Sequence, residues 1–391
     1  MRFLTVVFLI WGAMHLYAWA RVRAYTGLGP PWAVVLAAAL VVLMVAPIAG
    51  MSLSRAGRVL PGRLLSVVGM VWAGAFFLFF CVSLAHDAYN GLLSAAGLLI
   101  PAAKSARLVG AWPLAADVIL VASATVSALF AAWHVTPHHI QMKTPELPSD
   151  LPRVRIVQIS DVHLGATVGK GRLSRILEVA RAAKPDLFIS TGDLVDAERG
   201  DMTDLAEMLA SIQAPLGKYA TTGNHEYYAG LDQSLAFTRK SGFTMLSNEL
   251  ARVRPGLTLA GFDDETARFY RGERKQWDEA AIVSQATKGD YVVVLKHRPF
   301  VLPQSRPFWD LQLSGHTHGG QIFPFTLVVL AFYEYPPGLV GLEADKFLFT
   351  SRGAGTWGPP MRFVSSPEVT VVDIVRSAEQ GRRGRTRPGP G

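Results

Sequence analysis

Cysteine is almost missing: Cys81 is the only one in 391 residues. A single thiol excludes an intramolecular disulfide and any thiolate metal cluster. It lies in an apolar run, which makes it an inert core or lipid-facing residue. Charge is also sparse, with 17% of residues charged against 50% hydrophobic, and that balance excludes a disordered or collagen-like chain. Acidic residues are rarest in the first third, where residues 1–134 hold eight Lys/Arg but only Asp87 and Asp117. The formal net charge of +8 belongs to that third and to the tail 376–391, which has five arginines and one acid. Between them, residues 135–375 carry 25 basic against 27 acidic side chains. A near-neutral middle lacks the basic face that nucleic acid requires, so no nucleic-acid partner is expected. No internal repeat is present.

What the first third has instead is four apolar stretches, at about 3–20, 32–50, 64–86 and 114–134. Each approaches the ~20 residues that cross a ~30 Å hydrocarbon core as a helix. Three of the four contain no charge, and Asp117 sits near the start of the last, where headgroups would solvate it. Tyr17, Trp19, Trp32, Trp112 and Trp133 fall near the ends, as in an interfacial aromatic belt. The expectation is a transmembrane domain over 1–134. A fifth apolar run, 91–100, is too short to span and reads as interfacial or re-entrant. Ala18-Trp19-Ala20 has the A-x-A form of a signal-peptidase site. Arginines 55, 58 and 63 favour a cytoplasmic 51–63 loop, which leans the C-terminal domain to the cytoplasmic side of a bacterial inner membrane.

Residues 135–153 carry Pro137, Pro145, Pro148 and Pro152 and read as a linker; 376–391 reads as a disordered basic tail. Between these, short β-branched runs alternate with helix-like patterns at 171–183 and 202–212, which argues for an α/β fold over 154–375. The expected strands are 154–160, 187–191, 219–222, 257–260, 291–296 and 311–314.

Polar residues collect where these runs stop, the place where α/β folds bind ligands. The first runs into Asp161-Val-His163, the second into Gly192-Asp193, the third into Gly223-Asn224-His225-Glu226. Another ends at His297, and the last runs into Gly315-His316-Thr317-His318. One His or Asp at a strand end is ordinarily a capping residue, but five strand ends delivering Asp, Asn or His are not a coincidence. Imidazole and carboxylate donors without thiolate suit Mn, Fe, Zn or a similar divalent ion. Seven ligands exceed the needs of one ion and supply two if one carboxylate bridges, and paired ions are the usual clamp for displacement at phosphorus.

In this order and spacing, the motifs resemble the signature of calcineurin-like metallophosphoesterases over residues 153–374. His316-Thr-His-Gly-Gly-Gln321, Ser351-Arg352-Gly353-Ala-Gly355 and Pro360-Met-Arg362-Phe363 are similar to the membrane-anchored bacterial YaeI/YkuE-like branch. The resemblance implies a four-layer α-β-β-α sandwich behind the all-α transmembrane domain. It implies one divalent ion on Asp161, His163, Asp193 and His318 and a second on Asp193, Asn224, His297 and His316. His225 would contact substrate phosphate and protonate the leaving oxygen after in-line attack by a metal-bridging hydroxide. Arg352 and Arg362 are candidate substrate contacts. Glu226 is expected to support the Asn-His pair from behind, and Asp263 and Asp264 to cap a turn.

The expected activity is a membrane-anchored phosphoesterase, or phosphodiesterase, acting on a phosphate ester such as a phospholipid or nucleotide-lipid. No protein partner is implied. The competing expectations are a nuclease and a non-catalytic metal-binding module attached to a membrane sensor. The latter would be expected to have lost ligands, and none is missing.

Overall fold

The computed structural model describes residues 2–196, 202–271, 277–343 and 345–377. The chain divides into two compact units, Met1–Phe130 with Gly358–Met361, and Ala131–Trp357 with Arg362–Gly391.

The first unit contains helices α1 (Arg2–Thr26), α2 (Pro30–Arg55), α3 (Val59–Ala96) and α4 (Ala111–Trp133). All four are long and apolar enough to cross a membrane. Helices α2 and α3 approach closely through small residues. A Cβ on Gly50 would come within 2.5 Å of the Ser66 backbone nitrogen, and one on Gly69 within 2.5 Å of the Pro47 nitrogen. Close backbone approach of this kind is how helices pack in lipid, where apolar surface gives no net driving force. Two expectations need correction here. Residues 91–96 continue α3 through Asn90 and Gly91, and the helix ends at Ala96, ahead of the turn that starts at Pro101. Asp117 does not depend on headgroups. Its carboxylate accepts from Arg21 (3.1 Å) and His86 (2.8 Å), and Arg21 also bonds Asp87, which takes a bond from Tyr17. Pairing is what makes a buried charge tolerable in hydrocarbon.

The second unit is built on two six-stranded sheets. The first comprises β1 (Thr136–Thr144), β2 (Arg153–Ile159), β3 (Leu187–Ser190), β4 (Lys218–Ala220), β5 (Thr244–Met245) and β12 (Glu368–Arg376), in the order β1-β12-β2-β3-β4-β5. The second comprises β6 (Glu249–Arg254), β7 (Leu257–Gly261), β8 (Tyr291–Leu295), β9 (Leu311–Ser314), β10 (Gly338–Glu343) and β11 (Lys346–Thr350), in the order β10-β11-β9-β8-β7-β6. The helices are α5 (Lys170–Ala182), α6 (Thr203–Ala210), α7 (Asn224–Ala229), α8 (Leu231–Lys240), α9 (Thr266–Arg271), α10 (Glu279–Val283) and α11 (Phe325–Phe332).

Strand periodicity explains the layering. Along β2, Val154 and Ile156 point one way, into a core shared with Leu187, Leu259, Val293 and Leu313 of both sheets. Val157 and Ile159 point the other way, against Leu173, Ile176 and Leu177 of α5. On the outer side of the second sheet, Val292 and Val294 pack with Val283 of α10 and Trp309. A strand buried on both faces is apolar at nearly every position, which is why these runs are legible. The result is the four-layer α-β-β-α sandwich preceded by four apolar helices. Gln158 ties the sheets together beneath the site, donating to the Thr191 hydroxyl (2.8 Å) and the Ser314 carbonyl (3.1 Å).

Residues 136–144, read as linker, are instead the edge strand β1, paired in parallel with β12 along its whole length. An edge tolerates Pro137, whose missing N–H costs no ladder bond on the open side. At the other end, Arg376 still belongs to β12, and its Nε donates to the Leu147 carbonyl. The remainder of the expected disordered tail, 378–391, lies outside the described residues.

Candidate metal centre

The chain leaves β2, β3 and β9 through left-handed backbone at Asp161, His163, Asp193, His316 and His318, with φ between 50° and 69°. Such a conformation is costly for residues with a Cβ and persists only where surroundings enforce it, most often at functional sites. Here it turns side chains from separate strand ends toward one point. Gly192 permits the close approach: a Cβ there would fall 2.5 Å from the Gly223 nitrogen and 2.9 Å from the His297 ring.

The strand-end residues converge. Ligand-capable atoms of Asp161, His163 and His318 lie within 4.8 Å of one another, as do those of Asp193, His297 and His316. Asp193 joins the two sets, with Oδ2 at 3.7 Å from His163 Nε2 and 3.2 Å from His297 Nε2. His163 and His318 face each other through Nε2 atoms 3.1 Å apart, and His316 Nδ1 stands 3.1 Å from His297 Nε2. Asn224 opens α7 beside them; its buried Oδ1 has no hydrogen-bond partner, nor has His163 Nδ1. A buried carbonyl oxygen without a partner is costly unless something else fills its lone pairs, and a divalent ion does so.

Electrostatics favour the same filling. Burial pushes His163 down to about 4; burial with the charge of His297 pushes His316 down to about 3; burial and Arg362 hold His318 well below its ordinary value. Neutral imidazoles are the form that ligates a cation. Burial would raise Asp193, but His297 and His163 outweigh it and keep the carboxylate ionised. His297, lowered by burial, is pushed up to about 10 by Asp193. A cation would take that proton's place. By atom type, spacing and orphaned acceptors, the residues fit divalent metal.

Supporting contacts fix these side chains. Ser160 donates to Asp161 (2.6 Å), whose carboxylate also receives the His316 backbone N–H, and the Thr191 carbonyl accepts from His297 Nδ1 (2.8 Å). Glu226 stands behind the Asn-His pair. Its carboxylate accepts the N–H groups of Asp193, Leu194, Val195 and Gly223. Burial and the Asp193 charge push Glu226 up to about 7, against the four N–H dipoles that favour its ionised form.

His225 projects from α7 near Asp193, to which its backbone N–H donates (2.8 Å). Its Nδ1 pairs with Asp196 at 3.0 Å, and the rings of Tyr228 and Trp357 stand edge-on to it at 5.4 and 5.9 Å. Sequence reasoning missed Asp196. Its signal was there, three residues after Asp193 on the same loop. Also missed were Arg298 and Tyr333. Arg298 pairs with Asp264 (2.8 Å), so Asp264 anchors an arginine as well as capping Thr266. The Tyr333 ring lies 6.3 Å from His316.

The two arginines read as substrate contacts are turned to protein acceptors. Arg352 pairs with Glu368 (2.9 Å). Arg362 is completely buried, its N–H groups directed at the carbonyls of His318, Arg352, Gly353 and Gly355. It holds the His318 loop and has no exposed donor to offer a phosphate.

Residues 154–320 match the family model of calcineurin-like phosphoesterases. An uncharacterised metallophosphoesterase of Aquifex aeolicus is 40% identical over 235 residues, which cover 60% of this chain and 89% of that protein. The chain belongs to the calcineurin-like metallophosphoesterases. It is thus a metal-dependent phosphoesterase carrying four candidate membrane spans. A Danio rerio transmembrane protein with metallophosphoesterase domain is 34% identical over 243 residues, 60% of this chain and 56% of that protein. The Bacillus subtilis metallophosphoesterase YkuE is 29% identical over 263 residues, 62% of this chain and 88% of its own.

Proposed function

We propose that this metallophosphoesterase holds two divalent ions and hydrolyses phosphate esters or diesters at a membrane surface. The observation that supports the paired site most directly is the position of Asp193, one carboxylate within 4 Å of histidines from both clusters. Asp161, His163, Asp193 and His318 would hold one ion; Asp193, Asn224, His297 and His316 the other. Bound there, such ions polarise phosphate oxygens and lower the pKa of water.

The chain's own groups do the rest. Asp196 accepts from Nδ1 of His225, orients the ring and favours its protonated form, which leaves the Nε2 proton for the departing alkoxide. Burial opposes that charge on His225, but Asp196 and Asp193 outweigh it and raise the imidazole above its ordinary value. Tyr228 and Trp357 fix the ring from the side. Glu226 holds the Asp193 loop in its left-handed turn, so the bridging carboxylate is in place before substrate arrives. The loop charges of the first unit favour the cytoplasmic face of a bacterial inner membrane.

Hydrolysis of p-nitrophenyl phosphate and bis-p-nitrophenyl phosphate by detergent-purified protein, stripped of metal and resupplied with Mn²⁺, tests this reading. Metal-restored turnover is expected in the wild type and absent in Asp193→Ala. His225→Ala should keep its metal and lose ~10²–10⁴-fold in turnover, the usual worth of general-acid catalysis. Full turnover in Asp193→Ala would refute the shared carboxylate.

A further inference from the structure

Helix α11 is anomalous for the surface of a soluble domain. Its sequence is Phe-Thr-Leu-Val-Val-Leu-Ala-Phe, without a charge, and none of its eight residues is buried. Phe325, Leu327, Val328, Leu330 and Phe332 are all exposed, Phe332 by 80%. Phe323, just before the helix, and Val364, which bridges to its neighbour Ile322, extend the apolar surface. Scattered exposed leucines need no explanation, but five large apolar side chains on one short helix do.

The patch adjoins the metal cluster at both ends. It follows the His318–Gly320 turn, where a Cβ on Gly320 would run into the backbone of Thr326. It leads into Tyr333, which stacks on Phe300 at 5.8 Å and lies 6.3 Å from His316.

We propose that α11 lies in the bilayer interface and is a second membrane contact of this protein, additional to its four spans. Three observations favour lipid over a protein partner. The same chain is membrane-embedded, and two residues separate Trp133, the last of α4, from Thr136, the first of β1. At ~3.5 Å per extended residue that connection reaches only about 10 Å, so the first strand of the domain bearing α11 is tethered close to the end of a candidate span. Eight helical residues measure about 12 Å, too short to cross a ~30 Å core and suited to lying within its boundary. Aromatic residues mark both ends of the helix, with Phe323 before it, Phe325 and Phe332 as its first and last residues, and Tyr333 and Tyr335 after it, tyrosine being a residue that settles at headgroup level and phenylalanine one that inserts. An inserted α11 sets the metal cluster against the headgroups, so an amphiphilic phosphoester would enter from the lipid side. This last step rests on the hydrolytic reading above; the membrane contact does not.

Full-length protein in nanodiscs tests both, with a fluorophore on Leu330→Cys in a Cys81→Ser background and a control probe on exposed Lys288→Cys. Lipids brominated in the acyl chain should quench the 330 probe several-fold more than the 288 probe. Equal quenching would overturn the proposal, as would a blue-shifted 330 probe that the lipids do not quench, because that would mean a protein covers the helix. Separately, Leu327→Glu/Leu330→Glu should lose about tenfold or more in turnover of dodecyl p-nitrophenyl phosphate held in vesicles, as expected when two buried leucines are lost. It should keep its turnover of soluble bis-p-nitrophenyl phosphate. Equal loss on both substrates, or on neither, would refute entry from the lipid side. An inactive wild type with a quenched 330 probe would refute the hydrolytic reading and leave the membrane contact standing.

Discussion

Asp196 and His225 make a pair whose consequence is a pH profile. In the role proposed for it His225 is an acid, which works only while protonated, so its active form is present below its pKa and is lost as pH rises through it. The 3.0 Å contact to Asp196 helps raise that pKa. Asp196→Asn keeps the size and removes the charge, so the basic limb of the kcat profile should move to lower pH while the metal content stays the same. A profile that did not move would remove Asp196 from the role. At this scale the residues proposed as ligands were legible in the sequence, because Asp161, His163, Asp193, Asn224, His297, His316 and His318 all sit where an apolar run stops. The partners of the ligands were less so. Arg298 follows His297 directly, yet only the fold reveals that its charge is spent on Asp264. Arg362 looked like a phosphate contact because motif position does not report burial, and burial decided that its donors go to carbonyls.

Among the elements, the central strands were readable for a simple reason: burial on both faces leaves an unbroken apolar run. The edges were not. β1 alternates in burial from His138 to Thr144, but only Met142 and Thr144 are fully turned inward, and its His138-His139 and Pro137 resemble a linker. Its pairing with β12 joins residues 232 apart in sequence, and no local pattern encodes that. The strand is nonetheless structural, since Met142 is 4% exposed within the inter-sheet core beside Val154 and Ile374. Met142→Ala should cost about 2–5 kcal/mol in chemical unfolding, the usual loss for a truncated core methionine. A loss within about 0.5 kcal/mol, typical of surface positions, would return 136–144 to the status of a linker. The same reasoning explains α3, whose continuation to Ala96 was hidden by polar Asn90 and Ser94. Asn90 is not a break: it bonds the Leu108 backbone at both its amide and its carbonyl.

Over the whole molecule, a neutral catalytic unit and a basic, acid-poor membrane unit share one chain, and the split was visible in composition before any element was assigned. Composition did not reveal that both acids of the first unit are paired. Arg21, His86, Asp87 and Asp117 come from three helices and satisfy one another, which makes them a clamp between helices. The central claim concerns the other unit: two ions that share Asp193. Its most direct test is metal content. Full-length protein purified in detergent, loaded with Mn²⁺, desalted and analysed by elemental mass spectrometry should hold two ions per chain. Asp193→Asn should retain fewer than one, and His316→Ala about one, since it breaks only the second set of ligands. Two retained ions in Asp193→Asn, or a wild type that saturates at one, would contradict the shared carboxylate and with it the paired site.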